Sequence, residues 1–282
     1  MKQPLLHLQN VCYSYDDTSV ALNNVSVTVH RSERIAILGN NGAGKSTFFL
    51  LCNGVIAPNE GDIFYRGQKI TRKKSDLTTL RRHVGIVFQE PDQQLIAPTV
   101  ESEISFGPMN LRLNIEEVRQ RVDKAITTMH LQEKRHRSPH NLSGGEKKQV
   151  TIADALAMEP EILLFDEPAA SLDPANSVLL EDTLRELSDS GITLLVATHD
   201  MDFTWRWADR ILVFHNGKII CDDLPALVFA QNDIIQLAGL RKPLLYEVME
   251  TLLPINEPHA SIDWPKTTND FRTFIKNYGS SR

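Results

Sequence analysis

The chain has 282 residues, enough for one large domain or for one domain with an appendage. Its 41 % hydrophobic and 23 % charged residues allow a sizeable core and argue against wholesale disorder. A formal net charge of −6 argues against a general nucleic-acid binder, whose affinity would rest on Lys and Arg neutralising phosphates, though a local basic patch is compatible with it.

No stretch approaches the roughly eighteen continuous apolar residues that cross a bilayer, and MKQPLLHLQN lacks the unbroken apolar run of a signal peptide. The expectation is a cytosolic chain that meets a membrane only through a partner. Cys12, Cys52 and Cys221 are far apart, match no metal spacing, and read as reduced, mostly buried thiols.

In chain order, residues 5–30 alternate apolar and polar side chains around the turn-like Asp16-Asp17-Thr18-Ser19, which predicts an antiparallel strand pair. RIAIL (34–38) predicts a short strand running into a Gly-rich loop, with a helix beginning at Lys45. GDIFYRGQKI (61–70) predicts a strand and turn, and RRHVGIVFQE (81–90) a buried strand. Residues 99–130 have a helical pattern, with an interruption expected near Gly107 and Pro108. A helix is expected from 144 to before Pro160, then strand 161–168, helix 175–190 and strand 191–200. DRILVFHNGKIICDD (209–223) predicts a hairpin turning at Asn216-Gly217. Apolar strands alternating with helices imply a parallel α/β sheet, and the alternating pairs imply an added antiparallel part. From 231 to 282 the composition shifts, with Pro243, Pro254, Pro258 and Pro265; this reads as a small appendage with short helices, or as a tail packed on its own domain.

The strongest motif is Gly39-Asn40-Asn41-Gly42-Ala43-Gly44-Lys45-Ser46-Thr47, which fits G-x-x-x-x-G-K-[ST] between a strand and a helix. Glycines let the backbone wrap a phosphate so that several N–H groups face the anion, and the following helix adds its dipole. Lys45 brings positive charge to the β- and γ-phosphates, and Ser46 a hydroxyl for Mg²⁺. ILLF (162–165) delivers Asp166 and Glu167 to a strand's C-terminal end, where α/β sheets bind ligands. Asp166 can hold the magnesium through water, and Glu167 can act as base on an attacking water. Leu142-Ser143-Gly144-Gly145-Glu146 opens a helix with free N–H groups and a hydroxyl, a second anion-binding surface. Two such surfaces in one chain make sense if the second serves ATP held by another copy.

With these motifs the chain resembles the ATP-binding cassette family over residues 5–230, which stands as a nucleotide-binding domain 1–230 followed by a helical appendage 231–282 with a dimerisation or regulatory role. The resemblance implies a P-loop NTPase mixed sheet, an antiparallel β subdomain and a helical signature subdomain. It implies ATP and Mg²⁺ as ligands, with a second cassette subunit, identical or related, completing the site. Tyr15 resembles the aromatic that stacks on adenine, and Gln89 the glutamine that senses magnesium and the γ-phosphate. Ser171-Leu172-Asp173 resembles the segment that crosses to the partner subunit, and His199 the histidine that contacts the γ-phosphate. Glu146 stands where the family usually has Gln, Gln149 where Arg is common, and Ala169-Ala170 where Thr often appears. None of these departures removes a phosphate-contacting group.

Residues 88–108 resemble the FQ-x-PD-x-QL…TVE…FGP pattern of energy-coupling-factor ATPases, at the place where such cassettes meet polytopic membrane subunits. Their apolar residues Leu95, Ile96, Val100, Ile104 and Phe106 would be costly to expose on a plain surface loop. The segment 199–210, ending Trp207-Ala208-Asp209-Arg210, is similar to the version found in cobalt and nickel importers, with a vitamin importer as the alternative. Trp205 and Trp207 read as packing residues, and Lys134–His140 as a solvated basic stretch rather than a metal site. A soluble cassette working on DNA or ribosomes would carry long coiled coils or two cassettes, and neither pattern appears. The resulting expectation is an importer's ATPase at the cytoplasmic face of the membrane.

Overall fold

The computed structural model describes residues 4–16, 19–170, 172–252 and 264–280. The expected strand pair is present, β1 (Pro4–Ser14) running antiparallel to β2 (Val20–His30) with Leu8 opposite Val27. β4 (Glu60–Tyr65) and the short β5 (Gln68–Lys69) extend it on the β1 side. A second sheet contains β3 (Arg34–Leu38), β6 (Val84–Val87), β7 (Ile162–Asp166), β8 (Thr193–Ala197), β9 (Arg210–His215) and β10 (Lys218–Asp223). Its order is β10-β9-β3-β8-β7-β6, with β10 antiparallel to β9 and every other pair parallel.

Successive residues of these parallel strands enter opposite cores, as a period of two requires. Ile35, Ile37, Ile162, Leu164, Leu195 and Ala197 join the β1–β2 side, together with Phe48 and Phe49 of α1 (Lys45–Asn53). Ala36, Leu38, Leu163, Phe165, Leu194 and Val196 join the helical side. Both faces are therefore sealed, and the strand ends are left to carry polar groups. Truncating one such buried Leu or Ile to Ala typically costs about 2–5 kcal/mol.

On the helical side, α3 (Val100–Asn110), α4 (Ile115–Thr128) and α5 (Gly144–Ala157) pack against one another. The interruption expected near Gly107 and Pro108 lies instead at 111–114, because α3 runs through Pro108 to Asn110. Val100, Ile104 and Pro108, four residues apart, bury one continuous stripe, so packing outweighs the one hydrogen bond proline removes. The strand expected over 81–90 is shorter, Val84–Val87; residues 81–83 close α2 (Lys74–His83), a helix whose buried side is Leu80 alone and which periodicity did not reveal.

The basic stretch 134–140 is a staple more than a solvated run. Arg135 donates to Glu101 of α3 at 2.5 Å and to Asp123 of α4 at 2.6 Å, and Lys134 pairs with Glu146 of α5 at 2.9 Å. Glu146 is also half of a capping box, accepting from the Ser143 N–H while Ser143 accepts from the Glu146 N–H, which gives the unusual signature residue a structural reason.

The chain continues through α6 (Pro174–Asp189), α7 (Met201–Trp207), α8 (Pro225–Ala230), α9 (Asn232–Leu237), α10 (Leu244–Leu252) and α11 (Thr268–Ser280). Asn216-Gly217 makes the expected hairpin turn, both residues at positive φ (46° and 73°). Trp205 and Trp207 are buried, and Trp205 donates its indole N–H to the Pro265 carbonyl at 2.9 Å. Trp205 also meets Tyr246 and Trp264 edge to face, so the described residues after 230 share the core of the helical side. Pro254 and Pro258 lie outside the described residues. Cys52 is buried and Cys12 and Cys221 half-buried, all three as free thiols.

Asp154 of α5 faces inward, with Gln94 donating to it at 3.3 Å. Burial pushes its carboxyl up to about 7, the Gln94 hydrogen bond opposing and Glu103 reinforcing the rise. An acid whose pKa is raised on folding gives stability that is full below its unfolded value, near 3.9, and is lost as pH rises to the folded value. Asp154→Asn is therefore expected to match the parent near pH 4 and to exceed it by a few kcal/mol (order of magnitude) at pH 8. Denaturant midpoints across that range check it, and a constant difference would remove the titrating carboxyl from the account.

Candidate functional site

β3 ends at Leu38, and the loop 39–44 turns back so that α1 starts at Lys45 beside the C-terminal end of the sheet. Two glycines are required by close approach. At Gly39 (φ 142°) a Cβ would lie 2.3 Å from the Phe214 carbonyl oxygen, and at Gly44 (φ 106°) 2.6 Å from that of Ala21. A cavity of about 300 Å³ opens over the loop, lined by Tyr15, Ala21, Asn40, Asn41, Gly42, Ala43, Gly44, Lys45, Ser46, Thr47, Gln89, Asp166 and Glu167.

Lys45 is buried and donates to the carbonyls of Gly39 at 2.6 Å and Asn40 at 3.3 Å, so its ammonium rests at the centre of the loop. Burial lowers its pKa, against the pull of Glu167 and Asp166. Tyr15, 59 % exposed, stands at the rim with its hydroxyl 3.2 Å from that of Thr47 and its ring in a T-shaped contact with Tyr13.

Glu167 follows β7 at φ 45°, a left-handed conformation that costs a non-glycine residue of order 1–3 kcal/mol and persists only where the surroundings impose it. Here its N–H donates to the Ala197 carbonyl at 3.0 Å and its own carbonyl accepts from Ala170 at 3.1 Å. The side chain is thereby turned toward the loop. Oε1 lies 3.1 Å from His199 Nε2 and 3.9 Å from Lys45 Nζ, yet it is buried and receives no hydrogen bond with proper alignment from either. A buried carboxylate oxygen without a donor is placed to take a proton from a ligand. Burial raises the Glu167 pKa, Asp166 adds to the rise, and His199 and Lys45 oppose it. His199 is exposed, with Nε2 3.1 Å from Asn41 Oδ1 and 3.4 Å from Lys45 Nζ.

The residues present fit a nucleoside triphosphate with its magnesium. The loop supplies the cradle, Lys45 the cation, and Ser46, Gln89 and Asp166 line one cavity with the hard oxygen donors that Mg²⁺ takes. Ser143, Gly144, Gly145 and Asp173 are not in this lining. Ser143 caps α5 and Gly144 faces open space, while Gly145 packs against Asn176. Asp173 caps α6, accepting from Asn176 N at 2.9 Å and from its side-chain amide at 2.6 Å, which lowers the Asp173 pKa. Ser171 lies outside the described residues.

Two residues near the site escaped the sequence reading. Ala21 lines the cavity because β2 runs beneath the loop, which no local pattern signals. Lys148 is buried on α5 and donates to the carbonyls of Phe88 and Gln89; a lysine among the buried positions of that helix was the available signal.

A lysine-centred phosphate loop facing a strand-end carboxylate pair defines a P-loop nucleoside triphosphatase. Residues 22–170 match the family described as ABC transporter. The energy-coupling factor transporter ATP-binding protein EcfA of Methanococcus maripaludis is 40 % identical over 274 residues, covering 97 % of this chain and 98 % of the relative. EcfA2 of Methanospirillum hungatei is 42 % identical over 250 residues and 89 % of this chain, which spans 63 % of that longer relative. The structure of cbiO1 from Clostridium perfringens, part of the ABC transporter complex cbiONQ, matches with TM-score 0.75 at 37 % identity over 88 % of this chain and 100 % of that one. A dimeric ATP-binding cassette in a post-hydrolysis state bound to ADP and Pi matches with TM-score 0.70 at 29 % identity, over 78 % of this chain and 99 % of that one. The chain belongs to the ABC transporter family, as an ATP-hydrolysing subunit of the energy-coupling-factor type.

Proposed function

We propose that this subunit drives uptake of a divalent transition metal ion, cobalt ahead of nickel, from the cytoplasmic face of a membrane, docked on polytopic subunits through 88–108. The observation that carries docking is the apolar surface left in solvent there and at the adjoining Met109. Ile96 is 69 %, Phe106 53 % and Met109 59 % exposed, and Phe106 and Met109 share one face of α3. Leu95, Val100 and Ile104 are core residues instead and take no part. Among the described residues no helix is long and apolar enough to cross a membrane, so the path for the ion belongs to the partners.

In the nucleotide site, Lys45 and the N–H groups of 39–47 hold the phosphates, Tyr15 stacks on the base, and Ser46, Gln89 and Asp166 hold the magnesium. The metal's charge, when bound, offsets the negative charge building on the phosphates. Glu167 takes a proton as water oxygen bonds to the γ-phosphorus and the bond to the bridging oxygen breaks, and His199 contacts the γ-phosphate. Ser143, Gly144, Gly145 and Asp173 act on the ATP of a second cassette subunit. The Ser143 oxygen already accepts as helix cap, which leaves its O–H proton to donate. The dimeric relative that holds ADP and Pi supports this pairing. A dimerisation or regulatory role falls to the segment 231–282, whose described residues share the core of the helical side.

The metal rests on the resemblance of 199–210 to cobalt and nickel importers, taken with the resemblance of 88–108 to energy-coupling-factor ATPases. Trp207-Ala208-Asp209-Arg210 itself serves the fold, Asp209 pairing with Arg34 at 2.7 Å and Arg210 with Asp222 at 2.6 Å. Deleting the subunit is expected to abolish energy-dependent accumulation of labelled cobalt. Restoring it as Ile96→Ser, Phe106→Ser, Met109→Ser should restore ATPase activity but not transport, because each side chain forfeits about 1.5–3 kcal/mol of burial against the partner. Intact cobalt and nickel uptake with loss of a vitamin instead would overturn the metal, and full transport by the triple variant would overturn the docking surface.

A further inference from the structure

We propose that Lys148 is a positioning residue for ATP hydrolysis, holding the peptide of Gln89 in the nucleotide site and tying it to the helix that opens with Ser143. The inference rests on the reading that Gln89 serves hydrolysis.

Lys148 is 2 % exposed. A buried ammonium is costly unless its donors are used, and an apolar side chain of similar length would fill the same space without that cost. Among the described residues no carboxylate forms an ion pair with it, Glu90 and Asp166 acting only at longer range. What Nζ does touch is two backbone carbonyls, Phe88 and Gln89, at 2.8 Å each. Both lie just beyond β6, whose pairing with β7 ends at Val87 opposite Phe165, so the sheet no longer holds them. Because each peptide unit is planar, fixing two successive carbonyls fixes the backbone from which the Gln89 side chain enters the cavity.

The other ties between α5 and this loop are weaker. Lys147 meets Asp92 at 2.8 Å, but Asp92 is 60 % exposed and such a pair contributes little. Gln94 reaches Asp154 at 3.3 Å, five residues past Gln89. Lys148 is the buried link that reaches Gln89 itself. It also stands five residues from Ser143, about 7.5 Å along the helix axis. A displacement of the surface that faces the partner's ATP is thereby passed to the chain's own Gln89.

The test uses the purified full chain and steady-state ATPase rates. Lys148→Met should lower kcat by about tenfold or more, since small misplacements in a site have effects of that size, with KM for ATP changed less than about threefold. Its unfolding midpoint should be equal or higher, because a buried charge is gone. Lys148→Arg, which keeps charge and donors, should recover most of the rate. The double variant Gln89→Ala/Lys148→Met should be no slower than Gln89→Ala, because the lysine acts through the glutamine. Wild-type kcat in Lys148→Met, or equal losses in both Gln89 backgrounds, would overturn the proposal. A Gln89→Ala variant with normal activity would overturn the reading of Gln89 and the proposal with it, whereas a slow Gln89→Ala beside a normal Lys148→Met would overturn the proposal alone. If Lys148→Met does not fold, Lys148→Gln, which lacks the charge and is too short to hold both carbonyls, goes through the same cycle, its loss again having to vanish in the Gln89→Ala background.

Discussion

Glu167→Gln is expected to bind ATP as the parent does and to hydrolyse it about 10²-fold more slowly or worse. The substitution keeps the side chain's size and removes its capacity to take a proton. Loop 39–47 and Lys45, which face the phosphates, are untouched. The left-handed backbone at 167, imposed by the hydrogen bonds to Ala197 and Ala170, aims whatever side chain stands there into the same place. The parent rate should also carry an acid limb set by this group. Burial raises the Glu167 pKa, so the base becomes active only as pH climbs past a value above that of an ordinary glutamate. In Glu167→Gln that limb should vanish along with the rate. Loss of a desolvated charge should leave the variant at least as stable as the parent near neutral pH. Equilibrium binding of a fluorescent ATP analogue and phosphate release, measured from pH 5 to 9, separate the effects. Normal turnover in the variant would take Glu167 out of the chemistry.

Most of the architecture was legible because its signals are local. RIAIL, ILLF and TLLVA are runs of apolar residues sealed on both faces, which is what a parallel strand between two helical or sheet layers must be. Asn216-Gly217 could turn a hairpin for steric reasons alone. What was missed depends on tertiary context. α2 is a polar helix anchored by one leucine, so its periodicity is faint. Pro108 looked like a helix break because the stripe formed with Val100 and Ile104 exists only once α5 lies against it. Leu95 and Ile96 are neighbours of similar character, yet one is core and one is 69 % exposed, a difference set by the path of an irregular loop.

The site divides in the same way. Asp166 ends β7 and Glu167 follows it, while Lys45 opens α1 one loop beyond β3, so each sits where its own motif placed it, at the C-terminal edge of the sheet. His199 came into place through the same register, two residues past Ala197, which pairs with both Ile37 and Asp166. The orphaned Oε1 of Glu167 and the Lys148 contact could not be read beforehand, because each is a matter of ångströms between elements distant in sequence.

Gly144→Asp is the second large effect, and it separates folding from assembly. A Cβ at Gly144 meets no atom within 4 Å, so the variant should fold. An acidic residue in the first turn of α5 even interacts favourably with the helix dipole. ATP should bind the phosphate loop normally, because Gly144 is not in that cavity's lining. The cost falls on the partner. A carboxylate about 4 Å from another subunit's γ-phosphate raises the energy by about 4 kcal/mol at an effective dielectric of 20. That corresponds to about 10³-fold in the dimerisation constant at 1.36 kcal/mol per decade. ATP-dependent dimers, scored by sedimentation in a Glu167→Gln background that lets them accumulate, should disappear, and hydrolysis by the otherwise native chain should disappear with them. Hydrolysis by Gly144→Asp in the absence of dimers would mean that one chain completes its own site, and the surface of Ser143, Gly144 and Gly145 would then need another ligand.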